Sequence, residues 1–98
     1  MQLVAHKSPI PEGATLINEM AGSCQDGSGI ILRLYDVNPL DPTAPVYMAW
    51  YRGNVLIAVR KDQDESIYVA VLEREVPLAE LVQKYPTPCD LPFSGGSQ

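Results

Sequence analysis

Residues 46–72 read VYMAWYRGNVLIAVRKDQDESIYVAVL, the densest apolar stretch in the chain, and they decide the fold. Residues 46–52 are aromatic and β-branched, a composition that suits a pleated, half-buried surface. Gly53-Asn54 follows as a two-residue hairpin turn in which both residues tolerate positive φ. A loop of that length sets Arg52 opposite Val55, Trp50 opposite Ile57 and Met48 opposite Val59 on one face. The other face then holds Tyr51 opposite Leu56, Ala49 opposite Ala58 and Tyr47 opposite Arg60. A charged turn at residues 62–65 returns the chain as a third strand, residues 66–73, with Val59 beside Tyr68, Ile57 beside Ala70 and Val55 beside Leu72. Val69 and Val71 join the second face.

A sheet with one face in water alternates apolar and polar residues. Residues 55–59 and 67–72 do not alternate, because every position is apolar. Both faces of this meander therefore call for cover, and the second face has the less obvious source of it.

Outward from the meander, the sequence predicts a single domain over residues 1–98. Its N-terminal part, residues 1–37, holds short strands at residues 3–5, 14–20 and 30–37. The first is ended by Pro9 and Pro11, and the glycine-rich loop 21–29 lies between the other two. Residues 38–45 (NPLDPTAP) form a stiff proline-rich connection between this hairpin and the meander of residues 46–73. Residues 77–85 are the one helix, with Leu78, Leu81, Val82 and Tyr85 on a single apolar stripe and Pro86 and Pro88 stopping it. Residues 94–98 form a flexible tail. The expected class is α+β, mainly β: an antiparallel sheet or partly open barrel of about five to six strands with one short C-terminal helix. Whether the N-terminal hairpin extends the meander or folds over its second face is open at this level.

Composition narrows the partners. Net charge is −5 with pI near 4.6, and the basic residues never cluster beyond a pair. Nucleic-acid binding needs a basic stripe, so it is disfavoured. No secretory signal or membrane-length apolar run is visible. Cys24 and Cys89 are too few for a disulfide framework, so the expectation is a cytoplasmic protein with free thiols, a single Cys24–Cys89 bond being the alternative.

The sequence offers little convergent chemistry. His6 is the only histidine and reads as a surface or strand-edge residue. Cys24 has no visible activating base. Asp62, Asp64 and Glu65 lack the ligand series of a calcium loop, and Asp26-Gly27-Ser28-Gly29 lacks the lysine and following helix of a phosphate loop. Glu73, Glu75 and Glu80 near Arg74 read as an exposed edge. Gly95-Gly96 resembles the end of ubiquitin-like carriers, but those folds place a long helix after the first hairpin, where this chain has a loop and another strand. No cofactor or metal is expected.

The aromatics Tyr47, Trp50, Tyr51 and Tyr68 carry the functional expectation, because tyrosine, tryptophan and arginine dominate interface hot spots. Tyr47, Tyr51 and Arg60 are expected on the second meander face, and Trp50, on the first, is the fourth candidate binding residue. The resulting expectation is a non-enzymatic protein-protein interaction module: a small inhibitor, adaptor or assembly subunit that binds another protein or a second copy of itself. A barrel or cupped sheet binding a small apolar molecule is the alternative. An enzyme with an unrecognised site comes third.

Overall fold

The hairpin that organises the sequence closes where its turn chemistry places it. Gly53 takes a left-handed φ of 62°, and Arg52 pairs with Val55 and Tyr51 with Leu56. The computed structural model describes residues 10–92. Within them six strands pair in chain order as one antiparallel sheet. They are β1 (Thr15–Ser23), β2 (Gly29–Asp36), β3 (Val46–Arg52), β4 (Val55–Lys61), β5 (Ser66–Val69) and β6 (Arg74–Pro77). A helix, α1 (Leu78–Lys84), and a 3-10 turn, Pro88–Asp90, follow. This is the expected mainly-β, α+β class, with the sheet open rather than closed into a barrel. The candidate strand at residues 3–5, His6 and the tail at residues 94–98 lie outside the described residues.

The N-terminal hairpin extends the meander: β2 lies beside β3 with Leu32 opposite Trp50 and Tyr35 opposite Tyr47. β1 begins at Thr15 and runs on to Ser23, so the loop is tighter than residues 21–29. It closes through the Cys24 N–H to the Ser28 carbonyl at 2.8 Å and the Gly27 N–H to the Cys24 carbonyl at 2.9 Å. The proline-rich connection is an ordered chain of side-chain-capped turns. Asp36, Asn38 and Asp41 each accept a backbone N–H two residues on.

Two departures from the expected pairing matter. A β-bulge lies between the Tyr51–Leu56 and Trp50–Ala58 pairs, with Ile57 as the extra residue. Beyond it the partners move by one, so Ala49 meets Val59, Met48 meets Arg60 and Tyr47 meets Lys61. The bulge lets the adjacent Ile57 and Ala58 both enter the same core, which strict alternation forbids. The second departure is that residues 66–73 are not one strand. β5 stops at Val69, a turn with Glu73 at φ 56° reverses the chain, and β6 returns beside β5. Val71 and Leu72, expected in the sheet, sit on that turn, each 38% exposed. An unbroken apolar run contains no period from which to read where it bends.

The core lies on one side of the sheet, here the helix face. Ile57, Ala58, Ile67, Val69, Val76, Leu81 and Leu91 are buried there, with Trp50, Leu78 and Tyr85 packed against them. α1 supplies Leu78 and Leu81 and its C-cap residue Tyr85 packs with them, whereas Val82 of the predicted stripe is largely exposed. The chain then runs on through Pro88–Asp90 to Leu91, which is 4% exposed in the core.

That C-terminal strap is fastened by a Cys24–Cys89 disulfide across a sequence separation of 65 residues. The expectation of free thiols is therefore corrected: the β1–β2 loop and the strap meet at one end of the sheet, a proximity no local pattern encodes. Among the described residues no helix is long and apolar enough to cross a membrane.

Closing so long a loop removes denatured-state entropy worth about 4 kcal/mol in the chain-entropy account. Replacing both cysteines (Cys24→Ser with Cys89→Ser) is expected to lower denaturant-derived stability by about 2–5 kcal/mol. Leu91→Ala in the oxidised protein should cost about 2–4 kcal/mol through the cavity it leaves. Unchanged unfolding midpoints in both variants would show that the strap is not part of the folded core.

Candidate functional site

The face opposite α1 is built from alternate residues of the four long strands. β2 contributes Ile31, Arg33 and Tyr35, which lie opposite Tyr51, Ala49 and Tyr47 of β3. β4 places Leu56, Val59 and Lys61 beyond those same residues, and β1 places Glu19 opposite Arg33. Tyr68 of β5 pairs with Val59 and with Glu75 of β6. Ala49 is fully buried and Val59 is 3% exposed. Val59 lies at the floor of a shallow recess walled by Tyr47, Lys61, Asp64, Ser66, Tyr68 and Glu75. Among the described residues no helix crosses this face, and Tyr35, Tyr47, Tyr51 and Tyr68 remain half-buried.

The face is ordered by its own polar contacts. The Arg33 guanidinium stands 4.7 Å from the Tyr51 ring centroid, a cation–π distance. Its Nε donates to Glu19 Oε2 at 2.7 Å, and this hydrogen bond holds the Arg33 pKa above its ordinary value. The Tyr35 and Tyr51 hydroxyls approach to 3.3 Å. Burial, followed by that hydroxyl contact, pushes the Tyr51 phenol up to about 12, against the opposing pull of Arg33. At the far edge of the face the Ser66 hydroxyl donates to Glu75.

Of the residues singled out from sequence, Tyr47 and Tyr51 come together on this face. Arg60 does not, and Trp50 lies on the other, helix face, as its alternation with Tyr51 implies. Arg60 pairs with Met48 after the bulge and so points to the helix face, where it lines an apolar recess with Trp50, Leu78, Val82 and Tyr85. Its Nε donates to the Asp64 carbonyl at 2.9 Å. The expected sharing of one face by Tyr47, Tyr51 and Arg60 fails because the bulge moves Arg60 by one position. Arg33 and Tyr35 take its place beside the tyrosines. Their alternation with Ile31 already puts them on one strand face, but their distance to Tyr51 follows only once β2 pairs with β3.

A second polar cluster fastens the structure. Arg52, with its side chain only 12% exposed, donates from Nη1 to the Cys89 carbonyl at 2.8 Å. Its Nη2 reaches Asp26 Oδ2 at 3.0 Å and Ser28 Oγ at 2.8 Å. The Asp26 carboxyl is held below its ordinary pKa, first by the Ser28 hydroxyl and backbone N–H and then by Arg52. The Asp26-Gly27-Ser28-Gly29 segment is thus a turn clamped to the strap, with Gly27 at φ 91°. Cys24 is buried in its disulfide and is not the exposed nucleophile considered from sequence. No group of metal-ligating side chains converges among the described residues.

Comparison with protein families, curated proteins and solved structures finds no match to this chain.

The Tyr51 environment has a pH signature. A phenol whose folded pKa is about 12 stays protonated where the unfolded chain, at 10.0, has released its proton. The stabilisation is present below pH 10 and is lost as pH rises through the folded value. Tyrosinate absorbance should show a late-titrating limb that Tyr51→Phe removes. A titration unaltered by that substitution would contradict the burial assigned to Tyr51.

Proposed function

We propose that this protein is a non-enzymatic protein-binding module whose partner docks on the face opposite α1. One observation carries the reading: Tyr35, Tyr47, Tyr51, Tyr68 and Arg33 are gathered half-buried on a sheet face that no helix covers among the described residues. These are the residue types that supply hot-spot energy. Contacts within the face hold Arg33, Tyr35 and Tyr51 before a partner arrives, which reduces the side-chain ordering cost of association. Glu19, Arg33, Lys61 and Glu75 give it charges of both signs, a pattern suited to orienting a protein surface rather than drawing in a polyanion.

The small-molecule reading has less support. The sheet is open, and the apolar recess beside Trp50 and Tyr85 holds 210 Å³, below the roughly 300 Å³ at which ligand pockets begin. The larger 460 Å³ recess is lined by Ser23, Gln25, Asp26, Arg52 and Asp90 rather than by the apolar interior that reading needs. The Cys24–Cys89 bond favours an oxidising setting over the reducing cytoplasm expected from the sequence.

The test uses the intact chain and a Tyr47→Ala/Tyr51→Ala variant as baits in extract from the native source, with quantitative mass spectrometry. Partners of this face should be depleted by about 30-fold or more in the double variant. The far-ultraviolet circular dichroism should be unchanged. Equal capture of every partner by a folded double variant would overturn the reading.

A further inference from the structure

Among the described residues the sheet has two edges, β1 and β6, and they are unlike. β6 is four residues long, carries Arg74 and Glu75, ends in Pro77 and follows the left-handed Glu73. Short length, charge and proline are the devices that keep a strand edge from pairing with another chain. β1 is nine residues long and exposed throughout. It contains no lysine, arginine or proline, and its single charge, Glu19, is already held by Arg33. Leu16, Ile17 and Met20 along it are each 48% exposed. Its one irregularity lies between Leu16 and Asn18, leaving Asn18 to Ser23 in regular register with β2.

We infer that β1 is a dimer seam, along which a second copy of this chain adds its own β1 antiparallel about a two-fold axis normal to the sheet. The inference is independent of the proposed docking face. Such an axis keeps like faces together, so a residue can only oppose one an even number of positions away. A centre at Glu19 sets two carboxylates opposite each other and runs into the bulge. A centre at Met20 stays within the regular segment. It puts Asn18 opposite the partner's Gly22, Glu19 opposite the partner's Ala21, and the two methionines together. Met20 lies on the helix face beside Leu32, so this register also removes apolar surface from water. Because β6 is guarded, a β1-to-β6 chain of copies is disfavoured and the assembly closes as a dimer.

The register makes the test specific. Light scattering of the intact chain across a dilution series should move from twice 10.7 kDa toward 10.7 kDa. Met20→Lys opposes two like charges across the axis and should raise the midpoint concentration about tenfold. Ala21→Lys adds the same charge to the same edge, but opposite the partner's Glu19, and should leave the midpoint unchanged or lower. The Tyr47→Ala/Tyr51→Ala variant should dimerise like the parent, so failure of the docking face and failure of the seam give different results. A monomer at all concentrations, or equal effects of the two lysine substitutions, would overturn the proposal.

Discussion

A six-stranded sheet has two faces to cover, and the described residues bring one seven-residue α-helix to the task. Six strands at their usual spacing span roughly 24 Å, whereas seven helical residues extend about 10 Å along an axis and are about as wide. α1 accordingly covers only part of the helix face, where Leu78 and Leu81 meet Ile67, Val69 and Val76. The C-terminal strap carries cover further, to Leu91 and Trp50. The bulge in β4 serves the same economy by sending two consecutive residues, Ile57 and Ala58, to the covered side. Nothing comparable remains, among the described residues, for the opposite face.

Apart from its one 3-10 turn the strap has no regular structure among the described residues, so it needs side-chain anchors. Cys24–Cys89 supplies a covalent one, and Arg52 supplies a polar one by joining the Cys89 carbonyl to Asp26 and Ser28 of the β1–β2 loop. Both anchors act at the same end of the sheet. Arg52 needs these acceptors, since a guanidinium this enclosed is costly without partners. On the opposite face, tyrosines and an arginine stand where apolar residues would require a lid. Each presents a hydrophobic body with a polar end that tolerates water. Those residue types can keep a folded chain viable with that face in water.

Much of this was legible in the sequence. The Gly53-Asn54 turn, the three-proline connection and the stripe of Leu78, Leu81 and Tyr85 each carry local physics that fixes local structure. The apolar run at residues 67–72 was legible as buried but not as bent, because a strand and a strand-turn unit share that composition. One inserted residue at Ile57 was invisible, and it sufficed to move Arg60 off the face assigned to it. Tyr47 and Tyr51 were recognisable as candidates from type and spacing. Arg33 and Tyr35 were not, because their role depends on β2 lying beside β3, a choice that the hairpin's own sequence leaves open. The pairing of Cys24 with Cys89 is likewise a product of the whole topology.

Among the described residues the tyrosine face is open, without a covering helix. Hydroxyl-radical footprinting of the intact, oxidised protein reads side-chain exposure residue by residue and tests this directly. Oxidation is expected at Tyr47, Tyr51 and Tyr68, with Ile67, Val69 and Leu91 of the helix face protected. Protection of all three tyrosines to the level of those core residues would mean that the face is already covered, and would contradict its openness.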